Sequence, residues 1–318
     1  MESCSTRWPA GCGAWWRDRL TRVLDSGEGK DKNMVQIFTD TAANLPMKIL
    51  REYDIRTVPL TYEVDGVEPD HDIEFSGPAF YDAMRHGAEV KTSMVNPQRA
   101  ACAIEESLRQ GKDVLYLGIS GGISGSCWGV ALQSKELAEQ YGGGRIAVVD
   151  TRSASLGEGL VVLETAKLAR EGKSLAELET YARSRCACMQ QFFVVDDLKY
   201  LHKGGRISGG ARLAGTFLQI KPILRGDEEG KIVVYDKVRG KKKALEALAE
   251  LYAGAVGDLH APVGLAHADA PADALHLQSL LRDKGAKGEI LSVCYEPVTG
   301  AHVGPGTVAL FFYSEEWR

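Results

Sequence analysis

Short apolar runs alternate with helix-like segments along the first half of the chain. Three of these runs, at residues 35–38, 113–119 and 145–150, predict buried strands because successive positions are apolar and many are β-branched or aromatic. Each run is followed by a short polar loop and then by a stretch with apolar residues at helical spacing. This repeated strand, loop and helix pattern predicts a mostly parallel sheet covered by helices on both faces.

The pattern changes after about residue 184, where strand-like segments follow one another without long helices between them. We therefore predict two α/β domains, residues 34–184 with a mostly parallel sheet and residues 185–318 with a mixed sheet. The elements predicted for the second domain are strands at 191–195, 218–224 and 231–235, a helix at 240–252, a strand at 263–267, a helix at 271–284, and strands at 290–293 and 308–313.

Residues 1–33 differ in composition from the rest of the chain. They hold three of the five tryptophans and end in a polar run at residues 25–33. Two interpretations remain open: a disordered extension ahead of Met34, or a short amphipathic helix over residues 14–24 that docks on a partner or a membrane surface. We expect the extension to be dispensable, because every predicted strand lies after it.

The overall composition narrows the class of protein. The 318 residues, of which 44% are hydrophobic, are enough for two packed cores, and a net charge of −5 opposes a broad nucleic-acid-binding face. Seven cysteines in no ligand-like spacing favour a reducing compartment. Since no apolar run approaches the roughly 20 residues needed to cross a bilayer, the sequence predicts a soluble cytoplasmic protein.

Hydroxyl and carboxyl side chains follow directly after the predicted parallel strands, where ligands bind in open α/β sheets. Any one of them can equally well cap a helix, because Ser, Thr and Asp accept hydrogen bonds from free helical N–H groups. The glycine-rich loop among them resembles a phosphate cradle but lacks the lysine of such loops. The side chains concerned are Thr39, Asp40, Thr41, Ser120, Ser124, Ser126, Thr151, Ser153 and Ser155, and the loop also holds Gly121 and Gly122.

Thr92 and Ser93 form a second candidate site. They precede Asn96 and Pro97, a natural N-cap and first residue of a predicted helix that stops near Gly111. The positive end of a helix dipole favours an anionic group such as a carboxylate, although the loop could merely cap its helix.

Histidines offer a third candidate. His302 lies among three glycines and a proline in residues 299–307, which predict a tight loop that presents the imidazole as a hydrogen-bond donor. His267 with Asp269 makes only half of a metal site, and His71 offers no more. We therefore predict no metal site.

Two basic segments in the second domain leave two interpretations open. One runs from Lys199 to Ser208, and the other, residues 237–243, ends in Lys241, Lys242 and Lys243. Such runs are usually solvated faces, but they can also dock an acidic partner or a phosphorylated product.

Enzyme signatures are missing from the sequence. It contains no nucleophile elbow with a partnered serine, no nucleotide-binding glycine loop with its lysine, and no evident general base beside a nucleophile. We therefore expect a binding protein that has no catalytic residues of its own.

An ordered series of motifs resembles the DegV family. Each motif is loose alone, but their order and spacing over residues 34–313 are specific. The motifs are Phe38-Thr-Asp-Thr41 with Leu45-Pro46, Val58-Pro-Leu-Thr61, Lys91-Thr-Ser93, Ser120 to Ser126, Asp150 to Gly157, Leu201 to Ser208, Lys221-Pro222 and His302 to Thr307.

The resemblance implies a two-domain DegV-like α/β fold with a long-chain fatty acid in an apolar tunnel between the domains. It further implies a carrier subunit, not an enzyme on its own, that presents the carboxylate to a separate ATP-binding fatty acid kinase subunit for acyl-phosphate formation. No cofactor is implied, and transient membrane contact fits such a carrier. The implied site residues are Thr61, Ser93 and His302 on the carboxylate, Thr92, Ser120, Gly121, Gly122 and Ser124 nearby, and Arg206 toward the kinase. From the basic run itself we predict that Lys241, Lys242 and Lys243 also bind this partner.

Several positions depart from the family pattern near the expected head group. Thr41 stands where serine is common, Met94 to Pro97 replaces an early proline, and Cys127-Trp128 ends the glycine loop. Two alternatives therefore stay open. The fold also resembles that of dihydroxyacetone kinase, which would bind a small hydroxylated carbonyl compound, and a regulatory lipid-sensing protein is the third possibility.

Overall fold

The computed structural model describes residues 34–69, 75–207 and 220–315. The predictions made for residues 1–33, for His71, for Ser208 and for the start of the strand at residue 218 lie outside these ranges.

The N-terminal part folds around a parallel sheet of four strands in the order β2-β1-β5-β6, and β3 pairs with β4 in a separate antiparallel ribbon. The predicted buried strands are confirmed as β1, β5 and β6. The strands are β1 (Val35–Asp40), β2 (Arg56–Val58), β3 (Thr61–Val64), β4 (Val90–Ser93), β5 (Asp113–Gly118) and β6 (Ile146–Asp150).

Helices cover both faces of this sheet. Helices α3 and α4 pack on one face and α5 and α6 on the other. The helices are α1 (Met47–Glu52), α2 (Gly77–Arg85), α3 (Pro97–Arg109), α4 (Ser126–Gln140), α5 (Leu156–Arg170) and α6 (Leu175–Cys188).

Local signals explain where two of these helices begin. The Asn96 side chain accepts a hydrogen bond from the Arg99 N–H at 3.1 Å, so the predicted N-cap of α3 is confirmed. The stretch at helical spacing after the first strand, residues 42–53, predicts one continuous helix, and this prediction is wrong at its start. A 3-10 turn, Thr41–Ala43, ends at Asn44 in the left-handed conformation (φ 55°), and α1 begins only after Pro46.

The C-terminal part contains a mixed sheet of six strands in the order β11-β10-β12-β7-β8-β9, in which only β10 and β11 are parallel. Helices α8 and α9 pack on one face, and the other face turns toward the N-terminal part. The elements are β7 (Met189–Val194), α7 (Lys199–Lys203), β8 (Ile220–Gly226), β9 (Ile232–Arg239), α8 (Lys241–Ala255), β10 (Val263–His267), α9 (Pro271–Asp283), β11 (Ile290–Cys294), α10 (Pro297–Val303) and β12 (Val308–Tyr313).

Helix α5 lies between the two sheets and contacts strands of both. Its sequence is apolar on nearly all sides, as expected of a helix without a solvent face. A Cβ at Gly159 would lie 2.4 Å from the Ala43 carbonyl oxygen, so only glycine allows this close approach. The two parts of the chain therefore share one hydrophobic core.

Three further observations bear on the predicted domain boundary and on the class of protein. Helix α6 runs through the predicted domain boundary at residue 184 and ends at Cys188. None of the helices in the described ranges is long and apolar enough to cross a membrane. Within these ranges, no three His, Cys, Asp or Glu side chains are grouped so that they could hold a metal ion.

Candidate functional site

A cavity of about 270 Å³ lies between the N-terminal and C-terminal parts. Most of its wall is apolar. The walls come from the loop before β3, the loop after β5, one face of the C-terminal sheet and helices α7 and α10. The principal apolar lining residues are Leu60, Ile119, Phe193, Leu201, Val303 and Phe311.

Hydrogen-bond donors gather on one side of this inner cavity. Thr92, Arg206 and His302 line the inner cavity and also a second space outside it, which we call the outer cleft. Ser93 and Ser124 add hydroxyl groups to the inner cavity. This donor-rich side suits an anionic group bound at the end of an apolar chain.

Thr92 and His302 form the centre of the donor-rich side. Thr92 Oγ1 lies 2.9 Å from His302 Nε2, and the contact joins β4 to α10 across the two parts. Burial, and then the nearby positive charge of Arg206, lowers the pKa of the His302 imidazole to about 4. The imidazole is therefore neutral at physiological pH and can donate or accept a hydrogen bond.

The loop predicted around His302 is wrong. His302 lies in the last turn of α10, which begins with the N-cap Glu296 and Pro297 and ends at Gly304 (φ 80°). Gly300 does not break the helix. Its missing side chain makes room for the Tyr81 hydroxyl, since a Cβ there would lie 2.0 Å from that oxygen.

The glycine loop after β5 does not leave its amides open for an anion. The Gly121 N–H donates to Asp150 Oδ2 at 3.0 Å, and the Gly122 N–H donates to Ser120 Oγ at 3.1 Å. The Ser120 hydroxyl in turn donates to the Gly230 carbonyl at 2.8 Å. The loop therefore does not form a phosphate cradle, and it closes the cavity against the turn between β8 and β9.

Thr61 stands beside the cavity and not on its wall. It pairs directly with Ser93 across the β3–β4 ribbon, and Leu60 occupies the lining position before it. The Thr61 hydroxyl is therefore a neighbour of the donor-rich side, while Ser93, Thr92 and His302 reach it.

The predicted partner-facing cations lie in different places. Arg206 lines the inner cavity, and its guanidinium donates to the Ile123 and Gly204 carbonyl oxygens. Lys241 is held by Asp196, with Nζ 3.1 Å from Oδ1, and by the Gly306 carbonyl. Lys242 and Lys243 are exposed on α8, which packs on the sheet face opposite the cavity. The four cations therefore do not form one patch.

Two fully buried carboxyl groups were not predicted as a pair. Glu158 accepts a hydrogen bond from Thr39 Oγ1 at 2.8 Å, while its Oε2 has no hydrogen-bond partner among the described residues. Burial, and then repulsion by Asp40, raises the pKa of Glu158 well above its usual value. Asp40 accepts from the Ile119 N–H, from the Ala42 N–H and from the Tyr116 hydroxyl, and burial raises its pKa to about 6. In the sequence, Glu158 looks like an ordinary acidic residue of a first helical turn.

Comparisons with known proteins agree with this architecture. The model of the DegV family matches residues 34–315. A DegV domain-containing protein of Clostridium perfringens is 36% identical over 282 residues, which make up 88% of this chain and 97% of the relative.

Two solved structures share the fold. The first, described as fatty acid binding of a DegV family protein from Thermus thermophilus, has a TM-score of 0.80 at 30% identity and covers 88% of this chain and 99% of its own. The second, a fatty acid binding DegV family protein from Streptococcus agalactiae, has a TM-score of 0.79 at 31% identity, covering 89% and 99%. The chain therefore belongs to the DegV family.

Proposed function

We propose that this protein binds one long-chain fatty acid, with the acyl chain in the inner cavity and the carboxylate on its donor-rich side. The observation that carries the proposal is the gathering of Thr92, Ser93, Arg206 and His302 at one side of an otherwise apolar cavity. A buried carboxylate needs such donors, because an unpaired charge in an apolar site is costly. The fatty acids bound by the two related structures support the same ligand class.

Extraction of the purified protein with organic solvent, followed by mass spectrometry, tests the ligand class. We expect a stoichiometric acid of about 14 to 18 carbons, because the resemblance implies a long-chain ligand and the cavity wall is mostly apolar. A small polar adduct in place of an acid would contradict the proposal and favour the dihydroxyacetone-kinase-like alternative.

Binding of an acid and its methyl ester tests the head-group site. Hydrogen bonds to a charged group contribute roughly 1.5–3 kcal/mol, so Ser93→Ala and His302→Ala should each weaken acid binding about ten- to a hundredfold. The ester should bind wild type poorly and lose little more in Ser93→Ala. The control is Ser292→Ala, which changes an exposed serine of β11 and should leave acid binding unchanged.

The Thr61→Val variant tests whether the Thr61 hydroxyl contacts the carboxylate. The resemblance places Thr61 on the carboxylate, whereas the hydroxyl stands beside the cavity wall in this structure. We expect a smaller loss for Thr61→Val than for Ser93→Ala. A loss as large as that of Ser93→Ala would move the carboxylate toward β3.

We further propose that the protein presents the bound carboxylate to a separate ATP-binding kinase subunit. The outer cleft supports this role, because it shares Thr92, Arg206 and His302 with the inner cavity and gives a partner access to the outer side of these residues. Arg206 lines the cavity as well as the outer cleft, so its reversal would alter ligand and partner binding together. Because Lys242 and Lys243 lie away from the cavity, substitution of these two lysines tests partner docking alone.

Charge reversal of Lys242 and Lys243 together tests the predicted basic docking surface. If the kinase docks on α8, turnover at low ionic strength should fall several-fold, while fatty acid affinity stays the same, because exposed charges act mainly on association. Unchanged turnover would make these lysines a solvated surface and leave the cleft side as the docking face.

A further inference from the structure

The outer cleft has a volume of about 390 Å³ and meets the inner cavity at three shared residues, Thr92, Arg206 and His302. Its remaining walls come from α2, β4 and α7, and they include Lys91 and Lys203. The donor-rich side therefore borders an open, cationic space at these three residues.

The charges of this cleft do not cancel. Lys91, Lys203 and Arg206 contribute three positive charges and Glu89 contributes one negative charge, which leaves a net charge of +2 with His302 neutral. Lys203 Nζ lies 2.9 Å from Glu89 Oε1. Lys91 is exposed and makes no ion pair with the described residues. The whole chain carries a net charge of −5, so this positive cleft is a local feature.

We propose that the outer cleft is a phosphoryl subsite that holds the phosphate of an acyl phosphate, with Lys91 and Lys203 as its ligands. The proposal rests on the proposed function, since it concerns the product of carboxylate phosphorylation. Lysine suits this task because its ammonium acts as a mobile point charge for phosphate oxygens.

The reaction fixes where the phosphate must lie. One carboxylate oxygen, held beside Thr92 and His302, attacks the γ-phosphorus of ATP supplied by the kinase. A new carbon–oxygen–phosphorus link forms, the bond to the β-phosphate oxygen breaks, and ADP leaves with that electron pair. The transferred phosphoryl group ends one bond beyond the carboxylate oxygen, on the side where the inner cavity and the outer cleft share Thr92, Arg206 and His302.

The Glu89 carboxylate competes with a bound phosphate for Lys203. This carboxylate holds Lys203 before any phosphate arrives, and the two nearby ammonium groups keep the pKa of Glu89 below its usual value. A phosphate dianion would exchange with Glu89 for Lys203. Glu89 therefore opposes product binding, which favours release of the acyl phosphate.

The test uses a stable analogue, a long-chain 2-oxoalkylphosphonate, in which a methylene group replaces the bridging oxygen of the acyl phosphate. Affinities of this phosphonate and of hexadecanoate are measured by calorimetry for wild type, for Lys91→Gln with Lys203→Gln, and for Glu89→Gln. We expect the double variant to lose about ten- to a hundredfold in phosphonate affinity and less than threefold in hexadecanoate affinity. Glu89→Gln should bind the phosphonate about three- to tenfold more tightly.

The matched control is Lys48→Gln, which changes an exposed lysine of α1 outside both spaces and should leave both affinities unchanged. All substituted side chains are exposed, and thermal unfolding of each variant checks that it folds. Wild-type phosphonate affinity in the double variant, or equal losses for both ligands, would overturn the subsite.

Binding of inorganic phosphate distinguishes a subsite for a phosphate attached to an acyl chain from a site for free phosphate. Added to hexadecanoate-loaded protein and followed by phosphorus NMR, inorganic phosphate should bind at least a hundredfold more weakly than the phosphonate. Comparable affinity would make the cleft an independent phosphate site and overturn the assignment. Failure of hexadecanoate itself to bind wild type would contradict the proposed function, whereas acid binding with no lysine dependence of the phosphonate contradicts the subsite alone.

Discussion

Two regions of the molecule place polar groups in an apolar interior: the donor-rich side of the inner cavity, and the buried carboxyl pair of Asp40 and Glu158. They differ in the kind of hydrogen-bonding group that they bring together. The first gathers the donors of Thr92, Arg206 and His302 and leaves them facing an open space. The second gathers the acceptors of Asp40 and Glu158 and is sealed from solvent. Donors that face a cavity are ready for an anionic ligand, whereas sealed acceptors must take up protons.

The difference separates a binding site from a structural feature. Perturbed pKa values often mark functional sites, and both regions hold such groups. Only the donor-rich side combines them with an accessible volume. Glu158 and Asp40, in spite of their raised pKa values, line neither the cavity nor the outer cleft. Access to a ligand, and not the size of the shift, decides which region binds.

The largest expected effect comes from reversing the charge of the donor-rich side. Arg206→Glu would set a carboxylate against the bound head group and should weaken fatty acid binding by at least about a hundredfold, since it both removes a charged donor and adds a repulsive charge. Calorimetric titration of wild type, Arg206→Gln and Arg206→Glu measures it, and Gln should lie between the other two. Equal affinities would remove Arg206 from the site.

A second prediction concerns the pH dependence that His302 contributes. Its pKa is lowered from 6.5 to about 4 in the folded protein, so the unfolded chain binds more protons between these values. The stability that this neutral imidazole contributes is therefore present above pH 6.5 and is lost as the pH falls toward 4. Urea unfolding should show that His302→Gln loses about 1.5 kcal/mol less stability than wild type between pH 6.5 and 5.

The control for this measurement is His86→Gln, which replaces an exposed imidazole of the same half of the molecule. It should reproduce the wild-type dependence. Identical pH profiles for wild type and His302→Gln would show that the imidazole is not held in its neutral form.

The carboxyl pair should respond in the opposite direction. Glu158 has a raised pKa in the folded state, so its contribution to stability is complete at acid pH and is lost as the pH rises through that raised value. Glu158→Gln keeps the shape of the neutral side chain and should stabilise the protein by about 1–2 kcal/mol at pH 8 and by much less at pH 4.5. Denaturant unfolding at both values measures the difference. Stabilisation that is equal at both pH values would contradict a protonated Glu158.

The smallest expected effect is the number of protons that the protein takes up when the fatty acid binds. A bound carboxylate beside His302 should raise the pKa of the imidazole, because an opposite charge favours its protonated form. At pH 5 to 6, binding should then take up a fraction of a proton in wild type and less in His302→Gln. Calorimetry in two buffers of different ionisation enthalpy gives that number.

Three of the four strands of the parallel sheet, β1, β5 and β6, and the start of α3 could be predicted from the sequence, because each rests on a local signal. Buried strands require continuous apolar runs, and Asn96-Pro97 is a local capping signal. Thr92 and Ser93 lie on the cavity wall, and their role in binding a carboxylate stays a prediction.

Other features of the fold and the site could not be predicted, because they depend on contacts between residues that are far apart in the chain. Gly300 suggested a loop, but the Tyr81 hydroxyl that requires a glycine there is more than two hundred positions away in the chain. The Ser120 loop does not form a phosphate cradle, because its Ser120 hydroxyl donates to the Gly230 carbonyl oxygen from the other half of the chain. Glu158 became a buried acid only because the second sheet covers α5.

Helix α5 has a consequence for how fast a ligand can exchange. Two-domain binding proteins commonly open by a hinge, but here such an opening would strip one sheet from a helix that is apolar on nearly all sides. That cost would make wide opening rare and slow. Entry and exit should therefore follow small movements of the cavity walls, such as the turn between β8 and β9 lifting from Ser120. The residence time of the ligand would then be set by a few hydrogen bonds in that turn and not by the stability of the whole interface.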